Sequence, residues 1–248
     1  MSNNDNVPPD QFDGSFEWHY APPPTPYDLV RDSIITKSVR LALHAVIHPF
    51  IHGYNQLNVI NRQIVLDQWP CIITPNHSSH MDTMAVFSSL PIRYVNRLYA
   101  LAAKDYFFRN GAIAFGSRLI ANVIPLDRTG TEKTGLQLSL SKLKEGRSIL
   151  VFPEGTRSVT GKIENFKKGA IMLSKEAKLP IIPTYIKGTL QSMPKATIFP
   201  KAVKISVFYG EPLRFWQSPL DVLENSDAAQ YLEQKVKMLR ETLEKGKT

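Results

Sequence analysis

From Ser33 onward the chain alternates two kinds of apolar spacing. Ile34, Ile35, Val39, Leu41, Leu43, Val46 and Ile47 recur at helical intervals, mixed with Lys37 and Arg40, until Pro49 interrupts them. This pattern predicts a helix disturbed at Pro49, where the ring removes an N–H and crowds the preceding turn. Short β-rich runs follow: QIVLD (63–67), CIITP (71–75), LYALAA (98–103), NVIPL (122–126), SILVF (148–152), IIPTYI (181–186) and VKISVFYG (203–210). Each reads as a strand. Between them lie helical patterns. Leu136, Leu140 and Leu143 share one face before Gly146 stops the run, and residues 166–178 and 228–245 follow the same logic. Strands alternating with helices predict an α/β fold with a largely parallel central sheet flanked by helices. In such sheets ligands bind where loops leave the carboxyl ends of strands. Two polar segments fall there: NHSSHMD (76–82) after CIITP, and PEGTRS (153–158) after SILVF.

Composition sets the limits. Residues 1–30 are polar and proline-rich and have little to bury, so they read as an extended arm. A helical segment is expected over 31–60 and the main domain over 61–248. The first residues lack the basic start and apolar run of a secretory signal. The most apolar stretch, VRLALHAVIHPFIHGY (39–54), is broken by three histidines and Pro49, so the protein is expected to lie on a membrane rather than cross one. Whether this helix is an interfacial anchor, with Lys37 and Arg40 on anionic headgroups, or an ordinary core helix stays open. The formal charge of +8 points to an anionic partner: membrane surface, phosphorylated small molecule or nucleic acid. Nucleic acid is disfavoured because the basic residues are scattered rather than gathered in an aromatic-studded motif. The single cysteine, Cys71, rules out an intrachain disulfide and a Cys-based zinc site, and its apolar setting reads as core.

NHSSHMD admits three readings. His77, His80 and Asp82 have the wrong spacing for a dinuclear metal site, and all six histidines lie at or before residue 80, so no metal is expected. His44, His48 and His52 sit at i, i+4 and i+8, a set more often found at headgroups or polar crevices than on a metal. Ser78 and Ser79 stand where a helix would begin and read as caps, since no G-x-S-x-G elbow occurs. The third reading is a histidine base. An aspartate accepting from one imidazole nitrogen fixes the tautomer and leaves the other to take a proton from a hydroxyl. H-x-x-x-x-D alone is common by chance, so its companions decide.

FPEGTRS (152–158) follows a buried strand, with Gly155 allowing close backbone approach and Arg157 offering a planar fork for phosphate. IPLDRTG (124–130) places Arg128 just past an apolar run, and LPIIPTYI (179–186) suits a rigid wall. In this order the four segments resemble the glycerophospholipid acyltransferase family, in particular the 1-acylglycerol-3-phosphate acyltransferases. The family's first block is H-x-x-x-x-D, matched by His77 and Asp82; its third, F-P-E-G-T-R-S, is matched without substitution by residues 152–158. Its fourth resembles residues 179–184, and its second, G-x-x-F-I-x-R, keeps Arg128 but has Asn122 for the glycine and Pro125 for the phenylalanine.

The resemblance, over roughly residues 60–190, implies the glycerolipid acyltransferase fold and a general-base role for His77, oriented by Asp82. Glu154, Gly155 and Arg157, with Arg128, are implied to hold the acceptor's glycerol phosphate; Asn76 and Thr156 are neighbours, and Lys104 is either extra charge or a surface lysine. The implied reaction moves a fatty acyl group from the thioester of acyl-CoA or acyl carrier protein to the free hydroxyl of 1-acylglycerol 3-phosphate, giving phosphatidate. The thioester is already activated, so no cofactor is expected. Alternatives are another acceptor (glycerol 3-phosphate, a different lysophospholipid or a lyso-amino-acid lipid) and a non-catalytic lipid or acyl-CoA binder. The implied location is the cytoplasmic face of an anionic membrane, as a monotopic or peripheral protein.

Overall fold

A computed structural model describes residues 33–103, 119–126, 134–194, 197 and 199–246. The 1–30 arm, Lys104 and Arg128 lie outside them. The strands are β1 (Asn58–Ile60), β2 (Ile72–Pro75), β3 (Leu98–Ala103), β4 (Val123–Leu126), β5 (Ser148–Leu150), β6 (Ile181–Lys187) and β7 (Ser206–Tyr209). They form one sheet in the order β1-β7-β6-β2-β5-β3-β4. β6, β2, β5, β3 and β4 run parallel. β7 pairs antiparallel with β6, and β1 runs parallel to β7, so the far edge is reversed.

The helices are α1 (Ile34–Gly53), α2 (Arg62–Asp67), α3 (Met81–Ser89), α4 (Thr134–Lys144), α5 (Gly169–Ala177), α6 (Thr189–Ser192) and α7 (Asn225–Lys245). Successive strand residues point to opposite faces, and the core divides accordingly. Ile72, Ile149, Ile181 and Tyr185 pack with Leu140 and Leu143 of α4, Ile171 and Leu173 of α5, and Leu232 and Val236 of α7. Their neighbours Ile73, Leu150, Ile182 and Ile186 pack on the other face with Ile51 of α1, Val65 of α2, and Val86 and Phe87 of α3. The expected α/β architecture with flanking helices is the observed one.

One expectation is corrected. QIVLD is the helix α2, not a strand. Asn61 enters it at φ 60°, its amide donates to Tyr209 O, and the Gln63 amide bonds Asp67 across one turn. A run of three apolar residues is too short for its period to separate helix from strand. The edge strand in this region is the preceding segment, β1.

Pro49 lies inside α1, which continues past it to Gly53. Of the two placements open to Arg40, the inward one is observed: it is buried, with Nε donating to Leu119 O and a terminal nitrogen to Asn96 Oδ1. His44 is buried beside it and bonds Ile120 O at 2.8 Å. The histidine stripe therefore faces the protein body, with the His44 ring stacked on Phe87 and His52 bonding Ser88 O. Burial, then neighbouring His44 and His52, push His48 down to about 4. The opposite face of α1 is apolar and open: Ile34 is 84% exposed and Val46 71%. The usual amphipathic arrangement, apolar side inward, is inverted here.

Candidate active site

β2 and β5 are adjacent and parallel, in register at Ile72 with Ile149 and Ile73 with Leu150. Their following loops leave the same end of the sheet side by side. This pairing brings residues 76–82 against residues 152–158. Ser158 N donates to His77 O at 2.8 Å, and His77 N donates to Glu154 Oε1 at 2.7 Å.

The turn into α3 is built on its own polar side chains. Ser79 Oγ accepts from Met81 N, while Asp82 accepts from Ser79 N, a reciprocal arrangement like a capping box. Asp82 Oδ2 gathers three donors: Ser78 N at 2.7 Å, Ser79 N at 2.8 Å and His77 Nδ1 at 2.9 Å. Asp82 is fully buried, whereas the His77 side chain keeps 17% of its surface open. Donation from Nδ1 leaves Nε2 as the proton-accepting nitrogen of a neutral imidazole. The Phe152 ring stacks on His77 with centroids 3.9 Å apart and limits how the imidazole can turn. A fixed, partly open imidazole backed by a buried carboxylate is equipped to remove a proton from a hydroxyl. The N–H groups of Ser78 and Ser79 serve Asp82, so stabilising an oxyanion would fall to other donors.

Glu154 is buried and bridges two loops, its second oxygen accepting from Glu164 N at 3.2 Å. Burial pushes its carboxyl up to about 7, although both backbone N–H groups favour the charged form. Gly155 turns the chain at φ 73°. A Cβ there would meet Lys167 Nζ at 2.9 Å, so that ammonium lies directly over the glycine. Thr156 is exposed, and half-buried Arg157 acts electrostatically on His80 at the start of α3. Asn76 is buried, with its amide nitrogen on Ile186 O and its oxygen on Ile186 N, so it ties the site to β6.

The structure thus brings together His77, Asp82, Glu154, Gly155 and Arg157, sets Thr156 at the rim, and uses Asn76 behind the site. Lys167 escaped the sequence reading because it sits twelve residues past Gly155, folded back by its N–H on Pro153 O. Asn122 stands where the family pattern has glycine, at φ 45°, with its amide donating to Val95 O and Leu98 O. Left-handed backbone favours glycine, and asparagine is among the few other residues that tolerate it. Cys71 is fully buried, its thiol pushed up to about 12 by desolvation, as befits a core residue. Among the described residues no cluster of His, Cys, Asp and Glu is arranged to hold a metal ion.

Several known proteins are similar to this chain. The chain is 30% identical over 127 residues to a chloroplastic 1-acyl-sn-glycerol-3-phosphate acyltransferase of Brassica napus, covering 50% of this chain and 35% of that one. It is 32% identical over 119 residues to the human 1-acyl-sn-glycerol-3-phosphate acyltransferase beta, covering 46% of this chain and 40% of the relative. The chain spans between about a third and a half of the length of the curated relatives it matches. In fold it resembles the crystal structure of the 1-acyl-sn-glycerophosphate (LPA) acyltransferase PlsC from Thermotoga maritima. The TM-score is 0.62 at 23% identity, covering 87% of this chain and 85% of that one. Residues 56–187, which contain both loops of the site, match the family model for Acyltransferase, and the chain belongs to that family.

Proposed function

We propose that this protein transfers a fatty acyl group from the thioester of acyl-CoA or acyl carrier protein to the free hydroxyl of 1-acylglycerol 3-phosphate, giving phosphatidate. The observation carrying this reading is the 2.9 Å bond between His77 Nδ1 and Asp82 Oδ2, beside the FPEGTRS turn. His77 Nε2 takes the hydroxyl proton as the oxygen attacks the thioester carbonyl carbon. The tetrahedral intermediate collapses, the carbon–sulfur bond breaks, and the imidazolium returns its proton to the departing thiolate. No covalent acyl-enzyme is required, because the thioester is already activated; positioning supplies much of the acceleration. Arg157, the neighbouring Lys167 and Arg128 supply positive charge for the acceptor's phosphate. Glu154 and Asn76 position the loops rather than grip substrate.

The relatives named as 1-acyl-sn-glycerol-3-phosphate acyltransferases favour lysophosphatidate over other acceptors. A lipid acceptor also accounts for the inverted polarity of α1. Its exposed face holds Val39, Ala42, Val46 and Phe50 and no charged side chain, so it suits the boundary of a bilayer. α1 is also long and apolar enough to cross a membrane, by length and composition alone. With Arg40 and His44 bonded to the domain, we read it as lying along the surface.

The test incubates purified protein and labelled acyl-CoA or acyl carrier protein with lysophosphatidate, other lysolipids and glycerol 3-phosphate. Product on lysophosphatidate in preference to the rest is expected. Product on another acceptor alone overturns the acceptor, and product on none with either donor overturns the enzymatic reading.

A further inference from the structure

The apolar face of α1 does not stop at the end of the helix. Phe50 and Tyr54 stack with centroids 5.0 Å apart, both well exposed, and the Tyr54 hydroxyl donates to Pro200 O at 3.2 Å. Beside that proline, Phe199 is 84% exposed, a large apolar side chain presented to the outside. Isolated exposed apolar residues need no explanation, but a row continuous with a helix face does.

The backbone that follows Phe199 is held by hydrogen bonds. Buried Asn55 donates toward Ser192 Oγ, Lys201 O and Val203 O, and Lys201 N donates to Ser192 O at 2.8 Å. Lys201 and Lys204 are exposed on the same stretch. The charge pattern is one-sided: no Asp or Glu occurs between Asp32 and Asp67 or between Glu176 and Glu211, the two segments that meet here. Residues earlier in this part of the chain touch the turn after β2. Ser79 Oγ donates to Met193 O at 2.8 Å, and Ser78 Oγ bonds the Thr189 hydroxyl on α6.

We propose that residues 199–204 form a second contact with an anionic bilayer, with Phe199 among the acyl chains and Lys201 and Lys204 on the headgroups. Basic side chains flanking an apolar wedge are what such a surface selects. Two contacts fix an orientation where one helix leaves rotation free. The partly open His77 side chain is then held at the depth where lysolipid partitions. This inference rests on the membrane reading of α1 and adds to it a residue whose environment can be read directly.

The experiment uses the full chain with Phe199→Cys, labelled with an environment-sensitive dye; Cys71 is fully buried and leaves the new thiol as the reactive one. Labelled protein is mixed with vesicles of phosphatidylglycerol and phosphatidylcholine, and both sedimentation and emission are recorded. The expected result is co-sedimentation, a blue shift and quenching by brominated acyl chains. Phe199→Ser combined with Lys201→Glu and Lys204→Glu is expected to weaken vesicle partition by roughly tenfold or more. Turnover on a short-chain, water-soluble lysophosphatidate stays unchanged. Protein that sediments with its label still in water overturns this contact and leaves that of α1 standing. Protein that does not sediment at all overturns both.

Discussion

Asp82 and His77 are joined by a 2.9 Å hydrogen bond whose acceptor oxygen also takes the N–H groups of Ser78 and Ser79. One buried carboxylate therefore shapes the start of α3 and sets the tautomer of the imidazole. Asp82→Asn keeps a side chain of the same shape but removes the charge that stabilises an imidazolium. Turnover is expected to fall roughly 10²–10⁴-fold, with a far smaller change in the apparent binding of acceptor. Steady-state kinetics beside thermal melting separates this from misfolding.

Glu154 links the two loops through His77 N and Glu164 N. Glu154→Gln sets an amide donor against one of those N–H groups, displacing His77 and lowering turnover by as much as about 10²-fold. Its pH signature has a definite sign. Burial raises the carboxyl from 4.5 to about 7, so the folded state holds the proton more tightly than the unfolded chain. That contribution to stability is complete below about 4.5 and is lost as pH rises through 7. Melting temperatures of wild type and variant between pH 5 and 8 should show the wild-type advantage shrinking as pH increases.

His48 gives the opposite slope. Its pKa is depressed from 6.5 to about 4 by burial, then by His44 and His52, with Arg62 also disfavouring the charge and the Phe87 carbonyl opposing. Docking of α1 is complete above 6.5 and weakens as pH falls toward 4. Hydrogen exchange in residues 34–53, corrected for intrinsic rates, should accelerate at pH 5 relative to pH 7.5. His48→Leu should shrink that difference without abolishing it, because burial also lowers the pKa of His44 on the same helix.

Gly155→Ala places a side chain at φ 73° and a methyl 2.9 Å from Lys167 Nζ. The lysine end can swing aside, so the fold survives at a backbone cost of about 1–2 kcal/mol. The displaced ammonium should raise the KM for lysophosphatidate more than it lowers kcat. Kinetics on Gly155→Ala and Lys167→Met should move in the same direction.

Chemistry with short local spacing was legible in the sequence. His77 with Asp82, and residues 152–158, each sit in one turn after a β-run, and adjacency of β2 and β5 brings them together. The identity of α2 was not legible, because Ile64, Val65 and Leu66 fit either period, and the bond from Asn61 at its start to distant Tyr209 leaves no local mark. The reversed edge of β7 and β1 rests on long-range pairing that no local pattern encodes. The orientation of α1 was hidden for a different reason. Apolar spacing points the apolar face inward, but Arg40 and His44 find carbonyl partners at Leu119 and Ile120, and the polar side docks. Lys167 was invisible because only the folded loop brings it over Gly155.

The central claim is that His77 acts as the base in acyl transfer to a lysophosphatidate hydroxyl. It is tested most directly by single-turnover acyl transfer in wild type and His77→Ala, with acceptor binding measured on the same preparations. A rate loss of roughly 10²–10⁴-fold with binding retained is the predicted result; a variant that transfers acyl groups at the wild-type rate contradicts the account.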